Sequence, residues 1–491
     1  MIVGENQINQ GMLQQLPIHQ MNLKDLKKPF FTTILICGFL LMQLSYSLAQ
    51  IHIIERTLKD NPRTKNTNAD TSLVKKRFGH AALQFGMAEL LPQAFDQFVT
   101  KKDYAQISLK TIGHNLNPGS WQFDNDPLQT NQFGHPYHGS YFFNSFRTNG
   151  YNFWQSAGAS FAGSYIWETY AENQAPAPND FINTGFGGAI LGEMTYRLSN
   201  RIVNNKSVGF KRQVNEVLGM LVDPMNGLSR ILDGKWGKVA PNTTLRDSTK
   251  ILAEFNAGVR TIETNNQGHT GWYGHVKIYY GDPYEDYQTP FSNILVNTEI
   301  GKDDSSKVNI VSVYGSLAGW EIKSTESVEH LAILSANYDY IRNQAFFYGG
   351  QSVRINLLSE FDLSKKFIIN TTLGMGPVIL GAAPDKYITP NGRDYDYTMG
   401  WGVNGSAALN LAGRLFFNLN YRGAWLATIN GNSAHYFLHT LSGEFSYRLI
   451  KGISLCAEPG YYSLSGRYRH YPDIFKNYPY FKGSVKYSVN L

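Results

Sequence analysis

The last eleven residues, FKGSVKYSVNL (481–491), alternate between apolar and polar side chains along most of their length. The apolar set is Phe481, Val485, Tyr487, Val489 and Leu491, and the polar set is Lys482, Ser484, Lys486, Ser488 and Asn490. Successive side chains of a β-strand point to opposite faces of the sheet. The segment therefore predicts a strand with one apolar face and one polar face.

The same alternation recurs upstream, in residues 353–361, 413–425 and 437–449. The alternating segments run for roughly 10 to 16 residues, whereas strands of soluble proteins usually have about 5–6. A tilted strand needs about 9–11 residues to cross a bilayer. Aromatic residues lie toward the strand ends, where a membrane interface places them. The length disfavours the alternative of a soluble β-sandwich, and we predict an all-β transmembrane antiparallel barrel over residues 249–491.

The spacing of these segments predicts about twelve strands, with ten to fourteen as the range, since bacterial barrels have even strand numbers. The predicted strands begin near residues 250, 268, 290, 307, 327, 344, 365, 394, 412, 434, 451 and 478. The charged side chains assigned to the lumen are Arg354, Glu360, Arg414, Arg422, Glu444 and Arg448. A barrel of this size holds side chains and a plug but no channel of porin width.

Composition agrees with an exported barrel. The chain has 30 Tyr, 29 Phe and 46 Gly, and its net charge of +6 includes no Lys/Arg run, so we expect no nucleic-acid partner. Residues 21–50 contain a basic start, an apolar run over 30–44 and the small residues of a cleavage site at 47–49. Residues 1–49 are therefore predicted to be upstream residues and a signal peptide. The apolar run is short for the alternative, an anchoring helix, which needs about 20 residues.

A polar linker is predicted over residues 50–80 and a helical domain over 81–240. Within that domain, residues 151–172 and 181–203 each carry a stripe of small residues at helical spacing. Two such stripes on consecutive helices predict a hairpin in which the backbones approach closely. After cleavage of the signal peptide only Cys456 remains, so no intramolecular disulfide is expected.

Part of this domain, HPYHGSYFFNSFRTNGYNFWQSAGASFAGSYIWETYAENQAPAPNDFINTGFGGAILGE (135–193), resembles the family known as domain of unknown function 3943, found in predicted bacterial outer-membrane proteins. The resemblance covers residues 134–200. The residues that carry it are His135-Pro136, Gly139, Arg147, Trp167-Glu168, Glu172, Asn179-Asp180, Gly187-Gly188 and Gly192-Glu193. It implies an outer-membrane location and brings no activity with it.

Two histidines and three glutamates of the same region are the candidate catalytic residues: His135, His138, Glu168, Glu172 and Glu193. The histidine pair has the spacing H-x-x-H but lacks the third ligand that a zinc site needs. We therefore predict that GHPYHG (134–139) is an ordering loop, with no metal and no cofactor. Glu168 and Glu172 are four residues apart on a predicted helix and therefore share a face. Such a pair can serve acid–base chemistry or bind a divalent cation, but two solvated glutamates at a helix end are the favoured interpretation.

Glu193 is predicted to be part of a structural ion pair. A helix rises 1.5 Å per residue, so in the hairpin Glu193 lies roughly 13 Å further from the turn than Glu168. That position is close to Arg147, and Arg197 follows one helical turn later. A glutamate buried beside glycines needs a cationic partner.

Three functions are compatible with these patterns. The first is a bacterial outer-membrane barrel with a helical plug or lid, in conditional passage or handling of a small or lipidic ligand. The second is a membrane-embedded lipid or acyl hydrolase with its site in 135–193, for which Ser156, Ser160 and Ser164 are possible nucleophiles. The third is a structural barrel that anchors a periplasmic partner. The partners expected in every case are outer-membrane lipids and the barrel-assembly machinery, and the sequence favours a protein without enzymatic activity.

Overall fold

The computed structural model describes residues 75–203, 207–239, 249–302, 306–325, 327–343, 345–364, 367–389 and 392–491. The predicted signal peptide (1–49) and most of the predicted linker, up to residue 74, lie outside these described residues. The linker prediction is wrong at its end, because residues 78–80 already belong to a helix.

The N-terminal part of the structure is helical. The helices are α1 Phe78–Ala94, α2 Leu109–Asn115, α3 His135–Arg147, α4 Phe153–Ile166, α5 Pro178–Ile182, α6 Gly188–Ile202, α7 Gly209–Val222 and α8 Pro224–Leu232. Single π-helical turns, Phe95–Val99, Thr130–Gly134, Trp167–Ala171 and Asn183–Gly187, extend α1, precede α3, extend α4 and join α5 to α6. Among the described residues, no helix has both the length and the hydropathy needed to span a membrane.

Local sequence sets several of these helix boundaries. Asn152 caps α4 by accepting from the N–H of Gln155, whose side chain accepts from the N–H of Asn152 in return. Asp223 accepts from the N–H groups of Met225 and Asn226, and the proline that follows it opens α8.

The small-residue stripe of α6 allows helices to touch, as a hairpin requires. A Cβ atom built on Gly188 would lie 2.5 Å from the carbonyl carbon of Gly139 and 2.7 Å from the hydroxyl of Ser160. A Cβ on Gly139 would lie 1.9 Å from the carbonyl oxygen of Thr184. Helix α6 and the π-helical turn before it therefore pack backbone to backbone against α3, whereas the contact with α4, the partner in the predicted hairpin, is made by the side chain of Ser160.

Twelve antiparallel strands follow and close into a barrel, in which β1 pairs with β12. They are β1 Ile251–Thr264, β2 Gln267–Tyr280, β3 Ile294–Gly301, β4 Val308–Thr325, β5 Val328–Arg342, β6 Phe347–Ser364, β7 Phe367–Pro384, β8 Tyr395–Leu411, β9 Leu415–Asn430, β10 Ala434–Ile450, β11 Ile453–Tyr468 and β12 Ile474–Asn490. The predicted fold class and strand number are confirmed.

Ion pairs between strands that are not neighbours identify the inward face of the barrel. Lys277 on β2 lies 2.9 Å from Glu444 on β10, and Arg422 on β9 lies 3.0 Å from Asp339 on β5. Each pair joins strands separated by three others, so the two side chains meet across the lumen. The opposite face carries the exposed apolar side chains, such as Leu419 on β9.

The structure places Arg354, Arg422 and Glu444 on the lumen face. Glu360 on β6 and Arg448 on β10 lie an even number of residues from Arg354 and Glu444, so they share that face. The prediction for Arg414 is wrong, because β9 begins one residue later and Arg414 lies in the preceding turn.

Two layers of side chains cross the lumen. In one section, Glu299 meets Arg260 and Lys482, and Glu444 meets Lys277 and Lys486. In another section, inward-facing aromatic and aliphatic residues form a buried cluster; its members include Tyr348, Leu426, Tyr436, Leu438, Tyr462, Leu464 and Tyr480. These two layers occupy the space that a plug or a channel would need.

The helices pack on the outward face of the barrel wall. Tyr338 donates a hydrogen bond of 2.5 Å to the carbonyl of Gln132, and the side-chain amide of Asn131 lies 2.6 Å from the hydroxyl of Tyr397. Tyr338 alternates along β5 with the lumen residue Asp339, so its side chain points outward. The prediction of a helical plug is therefore wrong, because the docking surface of the helices is the exterior of the wall.

The two faces of β9 give a direct test of this assignment. We expect Leu419→Arg to impair membrane insertion, because a charge at the lipid-facing midplane of a barrel costs about 2–4 kcal/mol. Arg422→Leu, three residues away on the lumen face, is expected to insert normally. The measurement is the fraction of each variant that shows heat-modifiable migration after extraction from membranes. Normal insertion of Leu419→Arg together with failure of Arg422→Leu would show that the lipid-facing and lumen-facing sides of β9 have been assigned the wrong way round.

Candidate functional site

Three side chains that are distant in sequence meet at one point of the helical domain. His135 is the first residue of α3, Glu168 lies in the π-helical turn after α4, and Asp180 lies in α5. One ligand atom from each lies within 4.8 Å of the other two, and His135 Nε2 is 3.4 Å from Asp180 Oδ1. We refer to His135, Glu168 and Asp180 as the carboxylate–histidine cluster.

Irregular helix geometry brings these residues together. A π-helical turn ends immediately before His135, another contains Glu168, and a third begins three residues after Asp180. Such turns are rare in helices and are frequent at functional sites, because the extra residue re-aims the side chains next to it.

The environment of the glutamates differs from the prediction of a solvated helical pair, which is wrong. Glu168 is only 2% exposed, and its Oε2 accepts a 3.0 Å hydrogen bond from the N–H of Ala177. Glu172 has extended backbone at the end of the π-helical turn, and its Oε1 accepts from the indole N–H of Trp167 at 2.6 Å. Both carboxyl groups are therefore structural parts of a buried site.

His138 does not join its sequence neighbour His135. Its Nε2 lies 3.1 Å from the carbonyl oxygen of Ala88, and its ring contacts Phe142 and Trp167 with centroid distances of 4.6 Å. The prediction of an ordering loop over GHPYHG is wrong, because these residues form the end of a π-helical turn and the first turns of α3. Pro136 continues the helix that this π-helical turn begins, and the carbonyl of Gln132, four residues before it, accepts from the hydroxyl of Tyr338.

A second layer of polar groups links the cluster to the barrel wall. The side-chain amide of Asn179 donates to Asp180 Oδ1 at 2.8 Å and to Asp124 Oδ1 at 2.7 Å. The hydroxyl of Tyr397, on the outward face of β8, donates to the same oxygen of Asp124 at 2.7 Å. Sequence reasoning missed Asp124 and Asp180 as site residues; the Asn179-Asp180 pair of the family resemblance was the available signal for one of them.

Burial determines the charge state of this site. It raises the pKa of Glu168 and of Asp180 well above the usual range, and the neighbouring carboxylates add to both effects. Burial also raises the pKa of Glu172 to about 7. For His135 burial has the opposite effect and lowers the pKa to about 4, so the imidazole is neutral at physiological pH. A neutral imidazole and ionisable carboxyls form a donor set suited to a cation.

Glu193 lies outside the cluster and belongs to a buried ion triad. Its Oε2 is 2.7 Å from Arg147 Nε and its Oε1 is 2.8 Å from Arg197 Nε. The sequence prediction paired these same three residues. Because all of them are at most 4% exposed, the triad fixes α6 against α3 and is not available for acid–base chemistry.

The three serines considered as nucleophiles are buried packing residues. Ser156 donates to the carbonyl of Asn152, Ser160 lies within 3.1 Å of the carbonyls of Gly139 and Thr184, and Ser164 lies 3.4 Å from the carbonyl of Asp180. Their hydroxyls satisfy main-chain carbonyls at helix contacts, which is a structural role.

Comparison with known families agrees with the recognised sequence elements. Residues 120–225 match the family model described as Domain of unknown function (DUF3943). The resemblance is confirmed. All three residues of the carboxylate–histidine cluster, and Glu193 as well, lie inside the matched range. A search of curated proteins finds no match.

Solved structures similar to this chain include porins and an outer-membrane channel. The NanC porin is 12% identical, with 47% of this chain and 98% of that chain covered and a TM-score of 0.26. The KdgM porin is 9% identical, covering 48% and 98% with a TM-score of 0.23. The outer-membrane channel DcaP of Acinetobacter baumannii is 7% identical, covering 49% and 96% with a TM-score of 0.24.

The buried carboxyls predict a pH-dependent stability of the metal-free helical domain. Burial raises the pKa of Glu168, Glu172 and Asp180, and it also raises those of Asp223 and Glu89, to about 7 and about 8. The folded state therefore holds protons that the unfolded state has lost, and its stability falls as the pH rises from the unfolded-state pKa values of about 4 to the raised folded-state values. Burial lowers the pKa of His135 and of His138, so these two histidines oppose the effect near pH 6.5, where the unfolded state loses their protons, but titrate little above about pH 7.5. We expect the free energy of unfolding to decrease between pH 6.5 and 8, by up to about 1.4 kcal/mol per pH unit for each titrating carboxyl.

Chemical unfolding followed by helical circular dichroism, with a chelator present, measures this slope. Glu172→Gln is expected to flatten it, because the substituted amide has no proton to lose. The matched control is Glu263→Gln, at an exposed position on β1, which leaves the slope unchanged. A wild-type stability that rises from pH 6.5 to 8 contradicts the assignment.

Proposed function

We propose that this protein is a bacterial outer-membrane protein whose barrel does not conduct, and whose helical domain binds and handles a lipidic ligand beside the outward wall. The observation that carries this proposal is the docking of the helices on the outward face, through contacts such as Tyr338 with Gln132 and Asn131 with Tyr397. The outward wall of a membrane barrel is the surface that lipid covers. A domain fixed on that surface contacts lipid, whereas a plug inside the lumen contacts water.

The filled lumen supports the non-conducting part of the proposal. Glu444 contacts two lysines, one of them on a strand across the barrel, and Glu299 is held by an arginine and a lysine. Buried pairs of this kind lose several kcal/mol when one partner is removed, so they do not separate readily to open a path. The ligand is therefore expected at the wall and not in the lumen.

The exposed apolar side chains of α7 support contact with lipid. Phe210 is 85% exposed, Val217 50% and Leu221 70%, and Val214 and Leu218 share the same side of the helix. In water such a stripe exposes a continuous apolar surface, whereas at a membrane it lies in the interface. The same membrane supplies the lipid partners, and the barrel-assembly machinery is the insertion partner expected for any outer-membrane barrel.

A membrane-embedded hydrolase is the second candidate, and the carboxylate–histidine cluster is the observation that favours it. His135 and two carboxylates lie inside the domain that docks on the wall. A site of this composition activates water through a bound metal ion or through general acid–base transfer. The serine positions do not contribute to this alternative, because their hydroxyls are engaged by main-chain carbonyls.

Electrical recording tests the closed lumen. We expect the full-length protein, reconstituted in a planar bilayer, to give no stable open-channel current, because side chains from opposite walls meet inside the barrel. A porin inserted under the same conditions serves as the positive control. Stable, voltage-independent current steps from the wild-type protein would contradict a non-conducting barrel and restore the hypothesis of passage through the lumen.

Fluorescent labelling tests the position of the helical domain. An environment-sensitive fluorophore on Phe210→Cys is expected to emit as in an apolar medium and to be quenched by brominated lipid. The same label on Lys211→Cys, the next residue of α7 and also exposed, is the matched control and is expected to emit as in water. Labelling in detergent before reconstitution leaves the buried Cys456 unmodified. Equal, water-like emission from both positions would show that this face of α7 does not lie in lipid and would contradict the proposal.

A further inference from the structure

Four glutamates elsewhere in the protein, none more than 3% exposed, are each neutralised by two cationic side chains. Glu193 contacts Arg147 and Arg197, Glu216 contacts Arg212 and Arg230, Glu299 contacts Arg260 and Lys482, and Glu444 contacts Lys277 and Lys486. This pattern follows from the cost of burying a charge, which is large unless the charge is paired.

The carboxylate–histidine cluster departs from this pattern. Glu168 and Asp180 are 2% and 5% exposed, yet neither forms an ion pair with a Lys or Arg within the described ranges. The one basic group beside them is the His135 imidazole, 3.4 Å from Asp180 Oδ1. Two buried carboxyl groups thus share a site in which the protein supplies no permanent cation.

Glu168 also has an oxygen available to a ligand. Its Oε2 accepts from the N–H of Ala177, and none of the hydrogen bonds within the described ranges ends at its Oε1, which is not a fully buried atom. A carboxylate oxygen that no protein donor engages, beside a second carboxylate and an imidazole, is the arrangement of a site that a cation completes.

We propose that His135, Glu168 and Asp180 bind a divalent metal ion of the zinc class. With bonds of about 2.1 Å, adjacent ligands of a tetrahedral zinc lie about 3.4 Å apart. The distance between His135 Nε2 and Asp180 Oδ1 is 3.4 Å, and all three ligand atoms lie within 4.8 Å of one another. Small side-chain movements bring Glu168 to the same spacing.

The donor types select the metal. One imidazole nitrogen with two carboxylate oxygens suits Zn²⁺, and it also suits Fe²⁺ and Mn²⁺. Calcium takes six to eight oxygen ligands, more than this cluster offers, and magnesium favours oxygen ligands in octahedral geometry. Three protein ligands leave a coordination position for water or substrate, which is the composition of catalytic zinc sites.

Asn179 holds Asp180 in place. Its side-chain amide donates to Asp180 Oδ1 and to Asp124 Oδ1, and Asp124 in turn accepts from Tyr397 on the barrel wall. Groups that orient metal ligands in this way commonly contribute 10–100-fold to affinity, about 1.4 kcal/mol per factor of ten. The proposed metal site is therefore connected to the barrel through two hydrogen-bonded side chains. It stands independently of the position of the domain in lipid.

Calorimetric titration of the full-length protein tests the proposal. After removal of metals by a chelator, we expect one equivalent of Zn²⁺ to bind, and Mg²⁺ and Ca²⁺ at the same concentration not to compete. Glu168→Gln and Asp180→Asn are each expected to weaken binding by more than about 100-fold, beyond the range of an orienting group. Helical circular dichroism reports whether each variant is folded.

Glu89→Gln is the matched control. Glu89 is a buried carboxyl with no partner for either oxygen, but it lies outside the cluster, so its variant is expected to bind zinc like the wild type. Zinc is also expected to raise the melting temperature of wild-type protein and of this control only. This proposal is overturned if chelator-treated wild-type protein binds no stoichiometric zinc, or if zinc binding persists in folded Glu168→Gln and Asp180→Asn.

Discussion

The closure of the barrel is the constraint on which the other features depend. Closing the sheet leaves no free strand edge, so each strand divides its side chains between a lipid-facing surface and a lumen. In this protein the inward set includes charged residues of opposite sign, and Lys277 reaches Glu444 across the lumen. A lumen filled in this way cannot receive the helices. The outward wall is then the surface left for them to dock on.

Because the helices dock on the outward wall, the tyrosines of β5 and β8 bind the helical domain. In most barrels an outward tyrosine contributes to the interfacial girdle. Here Tyr338 donates to the backbone of Gln132, and Tyr397 donates to Asp124. A polar bond on the lipid-facing side is stable only when protein covers it. These bonds therefore require the helical domain to remain in place, and they make the wall and the domain one unit.

The sequence predicted the barrel closely because twofold alternation is a local signal. Each predicted strand begins within four residues of the observed one, as with 434 for Ala434 and 290 for Ile294. The helical hairpin and the grouping of Arg147, Glu193 and Arg197 also followed from local rules, since helical rise fixes which residues are level. The plug was wrong because periodicity shows that a helix has an apolar face and does not show which side of a barrel that face will meet.

The site was harder to predict because irregular backbone builds it. An α-helical reading places Glu172 one turn beyond Glu168 on the same face, but the π-helical turn ends before Glu172 and changes the direction of its side chain. The Asn179-Asp180 pair entered the sequence analysis only through the family resemblance, which implies no role for either residue. Only the fold shows that His135 turns toward Asp180 while His138 bonds to the carbonyl of Ala88.

Buried carboxyls in this protein differ in whether the chain supplies a counterion. Glu193 and Glu216 carry their counterions within the chain, so their charge is settled at folding and they serve to lock helices together. Glu168 and Asp180 have no such counterion, and their charge depends on protons or on a cation from outside. A buried carboxyl without a counterion from the protein lowers the free energy of unfolding, as groups at functional sites commonly do. At Glu168 and Asp180 this cost occurs where His135 completes a set of three ligand atoms.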